Sequence, residues 1–157
     1  MIIGIDFDGT IVKDEYPEIG VDLPGALETL KALKRNGHKV FLYTMRAHPK
    51  EGRDVLQEAV DWLEDRGVTL DGVNRSPARF SPSIKQFAHL YLDDRQFNAP
   101  LRIWRSEEVY DWEQVARYFL EIGGITNQDY LKILKPLVVY ENGKYTEEVL
   151  NIFNFKK

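Results

Sequence analysis

The sequence predicts an α/β protein built on a parallel sheet of about five strands. Short apolar segments alternate along the chain with segments whose apolar residues recur at helical spacing. This alternation is typical of strand–helix–strand units joined by right-handed crossovers. With 157 residues, of which 43% are hydrophobic, the chain is long enough for one well-buried core and short for two domains.

Three strands and two helices are expected in the first half of the chain. The apolar runs Ile2–Phe7 and Val40–Tyr43 favour buried strands, and Val68–Val73 favours a weaker one. Apolar residues recur at helical spacing through Leu23–Asn36 and again through Arg53–Arg66. A glycine, the usual C-terminal stop, follows each of these two helices.

Two more strands and a helix complete the predicted core. His89–Leu92 and Leu101–Trp104 are the fourth and fifth apolar runs, and Asp111 is placed to cap a helix with apolar residues at helical spacing. After a pair of glycines the pattern changes, so the core is expected to span residues 1–124 and an extension residues 125–157.

The extension is expected to form a helix and a hairpin. The helix would run over Asn127–Lys135 and end at Pro136, and the hairpin would pair Leu137–Tyr140 with Lys144–Thr146 around Asn142–Gly143. So many apolar side chains in a short terminal segment must be buried somewhere. They are expected to pack either on the core or in a homodimer interface.

The segment Asp6-Phe7-Asp8-Gly9-Thr10 follows the first predicted strand, at the sheet edge where open α/β sheets bind their ligands. Residues two apart in an extended chain project to the same face, so Asp6 and Asp8 are expected to converge. Two close carboxylates repel unless a cation or a shared proton lies between them, which favours a hard divalent metal. The Asp8–Gly9 pair also suits an ordinary turn.

Polar residues also follow the other predicted strands. Thr44 ends the second strand, Lys85 precedes the fourth, and Asp93–Asp94 ends it. Each has an ordinary alternative: a β-branched residue closing a strand, a surface lysine, and a polar exit from a buried strand. Because parallel strands end at one sheet edge, their joint order favours a single crevice that holds them all.

In this order, the aspartate pair, threonine, lysine and acidic pair resemble the four motifs of the haloacid dehalogenase superfamily, over roughly Met1 to Trp104. The resemblance implies a three-layer, Rossmann-like fold that carries out phosphoryl transfer. An aspartate at the place of Asp8 is similar to the phosphatases of the superfamily rather than to its ATPases or dehalogenases. The short segment Thr10–Leu23 leaves room only for a flap, so a minimal or absent cap and an open site are expected, as in small capless phosphatases.

The resemblance also implies a role for each residue. Asp6 would be the nucleophile that forms an aspartyl-phosphate, and Asp8 the acid and base. Mg²⁺ would be held by the carboxylates of Asp6 and Asp93 and by the backbone carbonyl of Asp8. Asp94 would either be a further ligand or support one of these ligands without touching the metal. Lys85 would neutralise charge on the transferring group. The residues expected to contact the substrate are Gly9, Thr10, Thr44, Met45 and Arg46.

The expected function is Mg²⁺-dependent hydrolysis of a small phosphorylated metabolite or nucleotide. One alternative is a polynucleotide 3′-end phosphatase, for which a cationic rim would serve. The five candidates for that rim, which would otherwise be an ordinary solvated face, are Arg46, Lys50, Arg53, Arg75 and Arg79. A second alternative is a phosphate-binding module without turnover.

Charge and composition narrow the partners. The net charge of -4 and pI near 5.4 disfavour generic binding to nucleic acid or anionic membranes. The absence of cysteine excludes disulfides and thiolate chemistry. No apolar stretch approaches the length needed to cross a bilayer, so a cytoplasmic monomer or homodimer is expected.

Overall fold

A sheet of four parallel strands forms the centre of the computed structural model, which describes residues 1–49, 52–78 and 83–140. The spatial order is β3-β2-β1-β4. The strands are β1 (Ile2–Ile5), β2 (Lys39–Leu42), β3 (Gly72–Val73) and β4 (Leu90–Leu92). The predicted α/β class is confirmed, and the two strands that end in aspartates, β1 and β4, are neighbours.

The described chain also forms four helices. They are α1 (Ala26–Arg35), α2 (Val55–Asp65), α3 (Trp112–Glu121) and α4 (Asn127–Tyr140). In the four parallel strands, the residues of the main buried cluster point to the same face: Ile3, Ile5, Val40, Leu42 and Leu92. Phe41 is also buried but points to the opposite face. Buried side chains from each helix belong to the main buried cluster. In the described part of the chain no helix covers the opposite face, so the third layer expected from the sequence is not seen there.

The predicted fifth strand exists but lies outside the parallel sheet. Strand β5 (Leu101–Trp104) pairs antiparallel with β6 (Glu107–Tyr110) in a separate hairpin. Its two-residue turn, Arg105–Ser106, has φ of 50° and 68°, the geometry that hairpin turns require. Turns of this kind normally contain Asn or Gly, so the sequence carried no turn signal and β6 was missed.

The predicted end of the last helix is wrong. Helix α4 continues through Pro136 to Tyr140, so Leu137–Tyr140 is helical rather than a hairpin strand. Proline lacks an N–H and so removes one backbone hydrogen bond, which makes a helix end the natural expectation. The other predicted hairpin strand, Lys144–Thr146, lies outside the described residues.

The described part of the extension belongs to the core. Tyr130, Ile133 and Leu134 of α4 are buried in the same cluster as the sheet, and α4 packs against α1 and α3. The Asp129 carboxylate accepts hydrogen bonds from Arg35 and from the side chain of Asn36. The sequence pattern changes at residue 124, but the helix that follows packs into the same core as the residues before it. None of the described helices is long and apolar enough to span a bilayer.

Candidate active site

Three carboxylates converge beyond the carboxyl ends of β1 and β4. Asp6 directly follows β1, and Asp93 and Asp94 directly follow β4. The backbone N–H of Asp6 donates to the carbonyl of Leu92 at 2.9 Å, which continues the pairing of the two strands into the site. One oxygen from each carboxylate lies within 4.8 Å of the others. These three residues form what is called here the acidic cluster.

Positive charge near the acidic cluster is sparse among the described residues: the exposed Arg95 has its Nε 3.9 Å from an Asp94 oxygen. Burial raises the pKa of Asp6 to about 6, and the carboxylates of Asp93 and Asp94 raise it further against the opposing hydrogen bonds from Phe7 N–H and the Thr44 hydroxyl. Burial also raises the pKa of Asp94. A fold that makes its own carboxylates costly to ionise is typical of a site that receives a cation.

The segment after β1 is shaped to fit Asp94. Gly9 has φ of 78°, and a Cβ at this position would lie 2.5 Å from Oδ2 of Asp94. Thr10 is fully buried, and its hydroxyl accepts the Asp94 N–H at 2.9 Å and reaches an Asp94 carboxylate oxygen at 3.3 Å. The indole N–H of Trp112 donates to the Thr10 carbonyl at 2.7 Å. Thr10 therefore positions Asp94. The sequence led us to expect a substrate contact at Thr10, but its side chain is buried.

Thr44 reaches the acidic cluster from the end of β2. Its hydroxyl lowers the pKa of Asp6 and accepts the backbone N–H of Arg46 at 3.2 Å, and its own backbone N–H donates to the side-chain oxygen of Asn74 at 2.8 Å. Asn74 follows β3 in a left-handed conformation with φ of 47°, and its amide donates to the Arg46 carbonyl at 3.3 Å. Asn74 thus fixes the backbone after β2. The sequence analysis overlooked it, although asparagine is the common non-glycine residue in this conformation.

Asp8 lies apart from the acidic cluster, in an ion pair with Arg46. Both Asp8 oxygens accept from the guanidinium, at 2.7 Å each. Strand β1 ends at Ile5, and the chain then turns, with the N–H groups of Ile11 and Val12 both donating to the Phe7 carbonyl. The extended geometry that would align Asp6 with Asp8 therefore does not persist, and the expected convergence of their side chains is not seen.

Arg46 is a buried structural residue rather than part of a cationic rim. Only 1% of its surface is exposed, and it also donates to the carbonyls of Pro17, Glu18 and Val55. Its guanidinium lies 5.0 Å from the centre of the Phe7 ring. Arg46 therefore ties Asp8 to the short flap between β1 and α1 and to the start of α2.

The other predicted cations do not complete the expected rim. Arg53 forms ion pairs with Glu18 and Glu58, so its charge is already balanced. Arg75 is exposed, while Lys50 and Arg79 lie outside the described residues. The geometry of the described residues gives the rim no support.

A cavity of about 260 Å³ opens onto the acidic cluster. Asp6, Asp93 and Lys85 line it, so the lysine predicted from the sequence faces the same space as the predicted nucleophile. The rest of the lining includes Tyr43 and Tyr91. Met45 is 96% exposed and does not line this cavity.

Tyr110 was also missed by the sequence analysis. This residue of β6 is buried, and burial together with the carboxylates of Asp93 and Asp94 raises the pKa of its hydroxyl. Tyr110 lines a second cavity, of about 320 Å³, with Gly9, Asp94 and Glu107. The hairpin that carries it therefore encloses the far side of the acidic cluster.

A conserved protein from Bacteroides thetaiotaomicron has a similar solved structure. The two chains are 32% identical with a TM-score of 0.60, over 82% of this chain and 95% of the other. This chain belongs to the same family as that Bacteroides protein. No family model and no curated protein matches the chain.

Proposed function

We propose that the protein is a Mg²⁺-dependent phosphomonoester hydrolase that works through an aspartyl-phosphate on Asp6. The observation that carries this proposal is the acidic cluster at one sheet edge, with Thr44 next to Asp6 and Lys85 lining the same cavity. A carboxylate nucleophile, a cation site, a hydroxyl donor and an ammonium group are the parts that phosphoryl transfer requires.

The donor set fits a hard divalent cation. Asp6, Asp93 and Asp94 offer oxygen ligands only, the type that Mg²⁺ prefers. The raised pKa values of Asp6 and Asp94 reflect the cost of ionising these buried carboxylates. A bound Mg²⁺ would offset the repulsion between Asp6 and the negatively charged phosphate. Asp8 offers no free carboxylate oxygen to this site, and any contribution would come from its backbone carbonyl.

Two displacements at phosphorus complete the proposed reaction. In the first, an Asp6 oxygen bonds to phosphorus while the ester oxygen departs and takes a proton from Asp8. In the second, water bonds to phosphorus, Asp6 leaves as a carboxylate, and Asp8 takes the proton of the water. Thr44 and Lys85 stabilise the charge on the phosphoryl oxygens in both steps.

The ion pair with Arg46 sets a condition on the role of Asp8. Both Asp8 oxygens accept from the guanidinium, so one of them must move away before it can carry a proton. Arg46 therefore holds Asp8 beside the site and limits the positions that the carboxylate can take. We propose that Asp8 acts as the acid and base from within this restrained pair.

Phosphate release from a panel of phosphomonoesters tests the proposal. The wild-type protein should release phosphate with Mg²⁺ and stop in excess chelator, and Asp6→Asn should be inactive. Asp65→Asn is the matched control, because Asp65 is an exposed residue at the end of α2 and loses the same charge. Activity that survives both the chelator and Asp6→Asn would refute the proposal.

The same assay addresses the two alternatives. A polynucleotide 3′-end phosphatase would release phosphate from a 3′-phosphorylated oligonucleotide faster than from mononucleotides. We do not expect this result, because the described residues do not form the cationic rim that such a substrate would need. A phosphate-binding module would bind the panel without releasing phosphate from any member. The raised pKa of Asp6 favours turnover, because perturbed carboxylates gather at catalytic sites.

A further inference from the structure

Two tyrosines, Tyr43 and Tyr91, line one side of the cavity that opens onto Asp6, and the buried Phe41 packs next to them. They lie on the sheet face that no described helix covers, in three adjacent strand positions: Phe41 in β2, Tyr43 just after it, and Tyr91 in β4. The ring centres of Phe41 and Tyr43 are 6.0 Å apart, and those of Tyr43 and Tyr91 are 5.8 Å apart. These three rings are called here the aromatic wall.

Glycine in the central strand makes room for the aromatic wall. Gly4 lies between Phe41 and Tyr91 in the register of the sheet. A Cβ at Gly4 would lie 2.8 Å from Cζ of Phe41 and 2.9 Å from Cδ1 of Tyr91. Without that Cβ the two rings can lie over the backbone of β1, which is why a glycine is required in the middle of a buried strand.

The three rings differ in accessibility. Phe41 is fully buried, and the hydroxyl of Tyr91 donates to the carbonyl of Gln86, which fixes that ring. Tyr43 is 40% exposed and lines the cavity together with Asp6 and Lys85. Tyr43 therefore presents an aromatic ring, supported from behind by Phe41, to whatever molecule enters.

We propose that the aromatic wall binds the base of a nucleoside monophosphate whose phosphate is held at Asp6. A planar base would stack on Tyr43, and stacking of this kind is a main source of affinity for bases. Gln96 lines the same cavity, and its amide offers a donor and an acceptor to the polar edge of a base.

The polar lining of the cavity favours a nucleotide over an aryl phosphate. Tyr43 is level with Asp6 on the neighbouring strand, because Leu42 pairs with Ile5, and Tyr91 lies about 7 Å further back along the sheet. A nucleotide has a sugar between its phosphate and its base, so it can place the phosphate at Asp6 and the base on the wall. In phosphotyrosine the ring is bonded directly to the phosphate oxygen and has no polar edge for Gln96.

This assignment rests on the proposed hydrolase activity, and a matched pair of substrates separates the two. Adenosine 5′-monophosphate and ribose 5-phosphate share the same phosphate and sugar but differ by the base. The ratio of their kcat/KM values therefore measures what the base contributes. The wild-type protein should favour the nucleotide by about tenfold or more, the effect expected of one stacked base.

Variants of Tyr43 should change this ratio. Tyr43→Leu removes the ring and should lower the ratio about tenfold, whereas Tyr43→Phe keeps the ring and should preserve it. The control is Tyr118→Leu, which removes an exposed tyrosine from α3 and should also preserve the ratio. Circular dichroism and thermal unfolding would establish that each variant is folded.

Three results would overturn the assignment while leaving the hydrolase proposal intact. They are a wild-type ratio near one, a high ratio that Tyr43→Leu does not change, and a preference for phosphotyrosine over the nucleotide that depends on Tyr43. If neither substrate is hydrolysed, the hydrolase proposal fails. The aromatic wall is then tested by calorimetric binding of the same two compounds to the wild-type protein. Tighter binding of the nucleotide than of ribose 5-phosphate, lost in Tyr43→Leu, would support the aromatic wall, and equal binding would overturn it.

Discussion

Asp6 and Asp8 lie two residues apart, yet their surroundings are opposite. Asp6 shares its surroundings with two further carboxylates, and its pKa is raised to about 6. Asp8 has both oxygens bonded to a buried guanidinium. In the described part of the chain no side-chain cation forms an ion pair with Asp6, whereas Asp8 is ion-paired with Arg46.

The contrast separates a carboxylate prepared for a ligand from one whose position an ion pair restrains. Burying a charge without a partner is costly, so a fold retains such a charge where something outside the chain binds it. The Asp8 carboxylate is already stabilised by Arg46 and needs no external cation. Arg46 in addition binds the flap carbonyls of Pro17 and Glu18, so the Asp8 pair connects the flap to the site.

The largest expected effects distinguish the two aspartates by chemistry. Asp6→Asn should lower kcat by at least about a thousandfold for every substrate, because the amide cannot form the covalent intermediate. Asp8→Asn should lower kcat by about a hundredfold or more for alkyl phosphates but less for aryl phosphates, whose leaving groups need little protonation. Steady-state kinetics with a matched alkyl and aryl pair measure this. Equal losses for both substrates in Asp8→Asn would assign Asp8 to structure alone.

Arg46 should be the most costly arginine to remove. Arg46→Met leaves Asp8 buried without its partner, so the free energy of unfolding should fall by about 3 to 5 kcal/mol. Arg53→Met is the control, because Arg53 is 44% exposed in its ion pairs and should cost about 1 kcal/mol or less. Urea unfolding measures both.

A double-mutant cycle sharpens this comparison. Asp8→Asn combined with Arg46→Met should be more stable than the sum of the single losses predicts, because neither partner is left charged alone. Strictly additive losses would show that Asp8 and Arg46 are not energetically coupled.

The acidic cluster should behave in the opposite way when Asp6 loses its charge. Because the pKa of Asp6 is raised from 3.8 to about 6, ionising it costs the metal-free fold about 3 kcal/mol. In chelator, Asp6→Asn should therefore be more stable than the wild type by about this amount at pH 8. The difference should shrink as the pH falls through 6 and vanish below about pH 4, where both states bind the proton. A wild-type protein more stable than Asp6→Asn at pH 8 in chelator would contradict the raised pKa.

The smallest expected effect comes from the support of Asp94. Thr10→Val keeps the shape of the side chain but removes the hydroxyl that accepts the Asp94 N–H and reaches its carboxylate. The affinity for Mg²⁺ should fall about tenfold, as is usual when a residue that orients a metal ligand is lost. Calorimetric titration with Mg²⁺ measures this, and unchanged affinity would show that Thr10 has no part in holding the cluster.

The sequence was informative where local pattern and strand order determine position. Alternating apolar segments placed β1, β2 and β4 within one or two residues, because buried strands are apolar whatever lies around them. The same order predicted that Asp6 and Asp93 would meet, since parallel neighbours end at one edge.

The sequence did not predict the surroundings of a side chain where they depend on a partner distant in the chain. Arg46 is charged, follows a strand and was expected to contact substrate, but its burial depends on the flap folding over it from a segment about thirty residues earlier. Trp112 bonds the Thr10 carbonyl across an even longer separation. The hairpin turn at Arg105 and Ser106 likewise contains none of the residue types that usually predict such a turn.

The most direct test of this account is to trap the phosphorylated protein and locate the phosphoryl group. Rapid quenching during turnover, borohydride reduction and peptide mass spectrometry would convert a phosphorylated aspartate into a recognisable product. The account predicts that this product lies at Asp6, is absent in Asp6→Asn and is absent when chelator replaces Mg²⁺. A modified Asp8, or turnover with no modified aspartate at all, would contradict it.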